Sequence, residues 1–261
     1  MTLNEKIAAL PQKSHYSYAD FIDIVEILRS EQGCPWDREQ NHQSIRKGLI
    51  EETYEVVEAI DNADPVLLRE ELGDLLLQIV FHAQIEREEG RFEMDDVIND
   101  ISKKMIHRHP HVFGDVHVKN SSEVLDNWEV IKTEEKQRNT LADKLRAIPP
   151  MMPALMRAAK VGKKAGISDG QAPADILAAI EADLQKAKSA LTAGNLDAET
   201  AVGSLLLQMT SLSRALDVEP EYALTRQTEA LNLSSPHPWP IRPTSKAPGK
   251  ASKEKMSYHH L

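Results

Sequence analysis

Residues 49–74 read LIEETYEVVEAIDNADPVLLREELGD. Apolar side chains recur here at helical spacing, and Asp64-Pro65 in the middle is a capping residue followed by a proline suited to a first helical turn. The stretch therefore predicts two helices, and the short connection DNAD makes them antiparallel neighbours. Each helix carries an acidic pair at i, i+3: Glu52 with Glu55, and Glu71 with Asp74. Such a pair projects from one face, and like charges held that close repel unless something positive lies between them. A lone E-x-x-E is usually a solvated helix face, because glutamate is a good helix former. Two such pairs on adjacent helices place four carboxylates toward one cleft, where they repel strongly unless hard cations neutralise them. All-oxygen ligands favour Mg²⁺ or Mn²⁺ over zinc or copper, and a carboxylate-held Mg²⁺ leaves positions for water and substrate phosphate.

Helical periodicity continues on both sides. YADFIDIVEILRSEQG (18–33) sets Phe21, Ile24, Val25 and Leu28 on one stripe and ends on Gly33. CPWDREQNHQ (34–43) reads as a polar loop. The next helix runs from about Ser44 to Asn62 with Leu49, Thr53, Val56, Val57 and Ile60 on its buried stripe. The helix after Asp64-Pro65 turns Leu68, Leu72, Leu75, Leu76, Ile79 and Val80 inward and stops at Gly90. Further helices are expected over 95–107 and from Ser121 or Ser122 through EVLDNWEVIKTEEKQ; between them HVFGDVHV (111–118) alternates briefly, as a short strand does.

The chain also repeats itself. REELGDLLLQIV (69–80) lines up with ETAVGSLLLQMT (199–210), sharing Gly73/Gly203 and the run LLLQ, with an amphipathic helix before each copy. This alignment sets Ala201 opposite Glu71 and Ser204 opposite Asp74. Matching EETYE to AAIEA sets Ala179 opposite Glu52 and Ala182 opposite Glu55, so the second copy keeps the helices and loses the acids. The expected organisation is all-α, a helical bundle with an intact and a degenerate unit in tandem. It comprises a flexible N-terminus (1–17), a catalytic helical domain (18–140), a linker (141–152), a degenerate helical domain (153–232) and a disordered proline- and lysine-rich tail (233–261).

A net charge of -10 argues against nucleic acid as the main partner, although a local cluster of cations still permits a small anionic ligand. One cysteine, Cys34, leaves no internal disulfide and fits a reducing compartment. No run approaches the roughly 20 apolar residues of a membrane span, and the first fifteen residues lack the apolar core of a signal peptide, so a cytoplasmic protein without a membrane partner is expected.

EETYE followed fifteen residues later by ELGD resembles the signature of the MazG family of all-α nucleoside triphosphate pyrophosphohydrolases. CPWDREQ, RHPHVFGD (108–115) and SSEVLDNWEVIKTEE (121–135) follow the same family in the same order, and the resemblance extends to PALMRAAKVGKK (153–164). It implies a Mg²⁺-dependent hydrolase, with Mn²⁺ a possible substitute, that cleaves nucleoside triphosphates between the α and β phosphates. Glu52, Glu55, Glu71 and Asp74 would hold the metal, and Glu52 or Glu55 would orient the attacking water or take its proton. At matching family positions Lys104, Arg108 and Trp128 look like phosphate and nucleoside contacts; Lys132 stands one turn beyond Trp128, and Trp36 either stacks a base or closes the N-terminal helix.

Other chemistries fit less well. His107, His109 and His111 form H-x-H-x-H, but no fourth ligand at zinc spacing follows, and a structural use at a helix end is favoured. Cys34 has no evident base partner. Ferritin-type di-metal bundles need Glu-x-x-His motifs, and none occurs near either acidic pair. A non-catalytic binding or regulatory module describes the second half, not the first. A homodimer is expected, with residues 153–232 packing at its interface.

Overall fold

The computed structural model describes residues 1–135, 140–194 and 197–234, and among these it holds helices and no strand. The chain divides into two compact units, Met1–Lys132 and Thr133–Leu261. No helix among the described residues is long and apolar enough to cross a membrane.

The first unit runs through α1 (Leu3–Ala9), a 3₁₀ turn (Leu10–Gln12), α2 (Tyr18–Arg29), α3 (Pro35–Glu39), α4 (His42–Asp61), α5 (Pro65–Glu88), α6 (Met94–Arg108), α7 (Pro110–Phe113) and the start of α8 (Ser121–Glu135). Residues 1–17, expected to be flexible, carry α1: Thr2 and Glu5 cap it reciprocally, and Lys6 pairs with Asp23 and Glu26 of α2 at 2.7 and 2.8 Å. After α2, Gly33 has no room for a side chain, because a Cβ there would lie 2.1 Å from the Ile27 carbonyl oxygen.

Two sequence expectations fail locally. CPWDREQNHQ is not wholly loop: Pro35 starts the five-residue α3, and Asn41 caps α4 by accepting from the Gln43 and Ser44 amides. HVFGDVHV contains no strand. Pro110 opens α7, and the Val112 and Phe113 amides donate to the His109 carbonyl, so this end of the alternating pattern closes a helical turn.

The core gathers Val25 from α2, Ile45 from α4, and Val80, Phe81 and Ile85 from α5, with Leu76, Leu77 and Met94 packed against them. The inward face of α4 differs from the apolar stripe read in sequence. Thr53, Val57 and Ile60 are exposed, whereas the buried positions are Ile45, Glu52 and Ala59. On α5, Leu72 and Ile79 are likewise exposed, while Gln78 and Gln84 are buried. Arg29 closes the far end. Its guanidinium holds both oxygens of Glu88 at 2.7 and 2.8 Å, donates to the Asp37 and Gln40 carbonyls, and lies 5.0 Å over the Phe81 ring.

The second unit comprises α9 (Leu141–Arg146), α10 (Ala154–Ala165), α11 (Pro173–Thr192), α12 (Ala198–Ala215) and α13 (Pro220–Ser234). The expected linker at 141–152 thus contains α9, capped by Thr140. Pro153 offers α10 no side-chain cap; Glu221 of α13 accepts from the Leu155 and Met156 amides instead. Ile148, Ile176 and Ile180 are buried here. The expected tail lies outside the described residues beyond Ser234.

Candidate active site

The α4–α5 hairpin builds the site. Asp64 accepts from the Val66 and Leu67 amides at 2.9 and 3.1 Å, which starts α5 immediately after the turn and sets the second half of α4 against the first half of α5. Across that seam, one carboxylate oxygen from each of Glu52, Glu55 and Glu71 lies within 4.8 Å of the other two. Glu52 is buried, Glu55 and Glu71 are half-buried, and Asp74 is exposed at the edge. Asp74 falls outside the tight trio but lies within electrostatic reach of Glu52.

The electrostatics show the strain of this arrangement. Burial, reinforced by a hydrogen bond to Glu55 and by repulsion from Glu55, Asp74 and Glu71, raises the Glu52 carboxyl from 4.5 to about 7. A buried glutamate on the packing face of a helix, surrounded by three more carboxylates, is costly as bare protein and is well suited to a hard divalent cation. The donor set therefore fits Mg²⁺ or Mn²⁺. Gln78, one turn beyond Asp74, is buried against Gly48, where a Cβ would lie 3.1 Å from its side-chain nitrogen.

Among the described residues this trio is the one group of three or more His, Cys, Asp or Glu side chains close enough to share an ion, so His107, His109 and His111 form no such group. The His109 ring nitrogen Nδ1 is instead 2.6 Å from the Met105 carbonyl oxygen, a helix-end contact. The sequence-predicted cations and aromatics occupy several places. Arg108 is buried with its guanidinium 5.9 Å over the Trp128 ring, and His109 meets the same ring edge-on at 5.0 Å. Lys104 is exposed one turn before Arg108 on α6, Lys132 pairs with Glu129 at 2.8 Å, and half-buried Trp36 sits on α3 with its carbonyl accepting from Gln40. Arg108 is thus covered by protein and lies beside Trp128.

One polar network has no motif to announce it. His42 at the start of α4 contacts His82 at 2.7 Å and Glu86 at 2.6 Å, with the two imidazoles stacked. Arg91, and then His42, hold the Glu86 carboxyl down at about 2, while burial, and then His42, lower the pKa of His82. The only sequence trace is the i, i+4 spacing of His82 and Glu86 on α5; their partner His42 is forty residues from His82. The network clamps the two helices at the opposite end of the hairpin from the carboxylates.

The MazG nucleotide pyrophosphohydrolase domain matches residues 40–113, a span that holds α4 to α7 and all four acids. The chain is 42% identical over 213 residues to a nucleoside triphosphate pyrophosphohydrolase/pyrophosphatase MazG of Thermotoga maritima, covering 81% of each protein. It is 41% identical over 215 residues to a nucleoside triphosphate pyrophosphohydrolase of Escherichia coli, covering 80% of this chain and 81% of that protein. A protein of the same name from Mycobacterium tuberculosis is 33% identical over 80% of this chain and 66% of its own length. A chain that shares two-fifths of its residues with such proteins over most of its length, and whose matching hairpin carries a buried carboxylate cluster, belongs to the MazG family of nucleotide pyrophosphohydrolases.

Proposed function

We propose that the chain hydrolyses nucleoside triphosphates between the α and β phosphates, in the cytoplasm, with Mg²⁺ as the working ion, Mn²⁺ as a substitute, and a broad nucleotide range. The observation that carries this reading is the convergence of Glu52, Glu55 and Glu71 within 4.8 Å at the hairpin, with Asp74 beside them. These four residues would hold the metal. When bound, it would supply the positive charge that a triphosphate needs and polarise the phosphoryl group under attack. The chain's own residues do the rest. The Glu52–Glu55 pair, hydrogen-bonded to each other, provides a carboxylate that orients the attacking water or takes its proton. Exposed Lys104 meets phosphate, with Lys132 as a second cation once it releases Glu129. Trp128, braced by Arg108 and His109, offers a ring face to the nucleoside, and Trp36 is a second candidate for stacking.

The test is product analysis over a panel of nucleoside triphosphates with Mg²⁺, with Mn²⁺ and with a chelator. Nucleoside monophosphate and pyrophosphate are expected in equal amounts, and the chelator is expected to stop their release. Orthophosphate as the first product would assign cleavage to the β–γ bond, and no release from any nucleotide would refute the activity altogether.

We also propose a second copy as partner, a reading supported by one exposed face of the same hairpin. Ile50, Tyr54 and Val57 form an exposed apolar stripe at i, i+4, i+7 on the outer face of α4. Light scattering is expected to give twice the mass of one chain, and Tyr54→Glu to shift it toward one. A wild-type mass of a single chain at micromolar concentration would remove the dimer.

A further inference from the structure

The α11–α12 hairpin repeats the layout of the α4–α5 hairpin. Helices α4 and α11 each run twenty residues, and Gly203 to Gln208 reads GSLLLQ where Gly73 to Gln78 reads GDLLLQ. Ser204 thus takes the place of Asp74, Ala201 that of Glu71, and Gln208 that of Gln78. Contacts across the second hairpin then set the register of α11. The Asp183 carboxylate accepts hydrogen bonds from Gln208 and Ser204, so it stands opposite Ser204 much as Glu52 lies within electrostatic reach of Asp74. Three residues on, as Glu55 follows Glu52, comes Lys186, whose Nζ pairs with Asp183 at 2.7 Å. Asp183, Lys186, Ala201 and Ser204 line one open cleft.

This register corrects the match drawn from EETYE and AAIEA. Ala179 lies one helical turn before the position that opposes Ser204, so one acid survives in the second hairpin and its partner has become a lysine. We infer that the Lys186 ammonium stands where the first hairpin needs a divalent cation, making this cleft a charge-paired, metal-free counterpart of the catalytic site. Four carboxylates in the first hairpin correspond to one carboxylate and one ammonium in the second. An ammonium has three donors and no lone pair, so it satisfies Asp183 and repels any incoming metal ion. The carboxyl chemistry agrees: Lys186, above all, holds Asp183 below its ordinary value. On this reading the second hairpin needs no metal, and among the described residues the Glu52, Glu55 and Glu71 trio is the one group placed to share an ion.

The inference rests on reading the Glu52 cluster as a metal site, and the test separates the two. Mn²⁺ alone is titrated into the full chain, with free ion followed by electron paramagnetic resonance. Three proteins are compared: the natural chain, the variant Glu52→Gln/Glu71→Gln, and that variant with Lys186→Glu, Ala201→Glu and Ser204→Asp added. Binding is expected in the first, at least tenfold weaker binding in the second, and recovery in the third. Residual binding in the second protein that Asp183→Asn abolishes would overturn the inference. So would a third protein that is helical by circular dichroism yet gains no ion. If the triple change unfolds the unit, Lys186→Glu alone replaces it, with gain over the second protein supporting the inference and no gain overturning it. A natural chain that binds no Mn²⁺ beside a third protein that does would refute the metal reading of Glu52 and leave the inference about Lys186 intact.

Discussion

Glu52→Gln is expected to lower the rate of pyrophosphate release about 10³-fold, the scale of a lost acid–base and metal-holding group, while the protein stays folded. Glutamine matches glutamate in shape and can still hydrogen-bond Glu55, so packing of α4 against α5 survives. What goes is a negative charge at the buried centre of the cluster. Removing one of four repelling carboxylates should raise the melting temperature of the metal-free protein, and that opposite movement of stability and rate distinguishes a chemical role from a structural one. Asp74→Asn should cost less, because Asp74 is exposed and lies outside the trio that shares the 4.8 Å sphere. Activity of Glu52→Gln within tenfold of the natural chain would dissociate the cluster from catalysis.

The metal-free protein should lose stability as the pH rises from about 4.5 to about 7. Folded, Glu52 keeps its proton up to about 7; unfolded, it releases it near 4.5. Folding therefore takes up a proton between those values. The contribution is fully present below 4.5 and is lost as the pH climbs through the window, at a cost of roughly 3 kcal/mol at most. His82, whose pKa is lowered mainly by burial, works in the other direction in the same range, so the diagnostic quantity is the difference between the natural chain and Glu52→Gln. Glu86, held at about 2, changes stability only at more acidic pH. Urea midpoints at pH 5 and pH 7.5 in chelator should fall with pH more steeply in the natural chain than in the variant. Millimolar Mg²⁺ should remove that difference, since an ion displaces the proton. Parallel slopes in chelator would contradict the raised carboxyl.

Much of the fold is legible locally. Asp64-Pro65 declares the start of α5, Ser17 and Asn41 cap α2 and α4, and the short connection makes α4 and α5 antiparallel. The errors share a cause. HVFGDVHV has a two-residue rhythm but begins beside Pro110, whose ring favours a helical turn. Helix α4 carries apolar side chains on more than one face, so periodicity alone favoured Thr53, Val57 and Ile60 as the buried stripe, while the packed face holds Ile45, Glu52 and Ala59.

By itself the sequence determined that the chain is helical, where α4 and α5 turn, and that each brings an acidic pair at i, i+3, because helix formation, capping and side-chain spacing are properties of a single segment. Only the tertiary structure decided that Glu52 is the buried member of the cluster, that Arg108 braces Trp128 from inside the protein, and that Asp183 rather than Ala179 faces Ser204. Which face of a helix is buried, and which residue stands opposite which, depends on the partner helix, and periodicity within one segment carries no record of that partner.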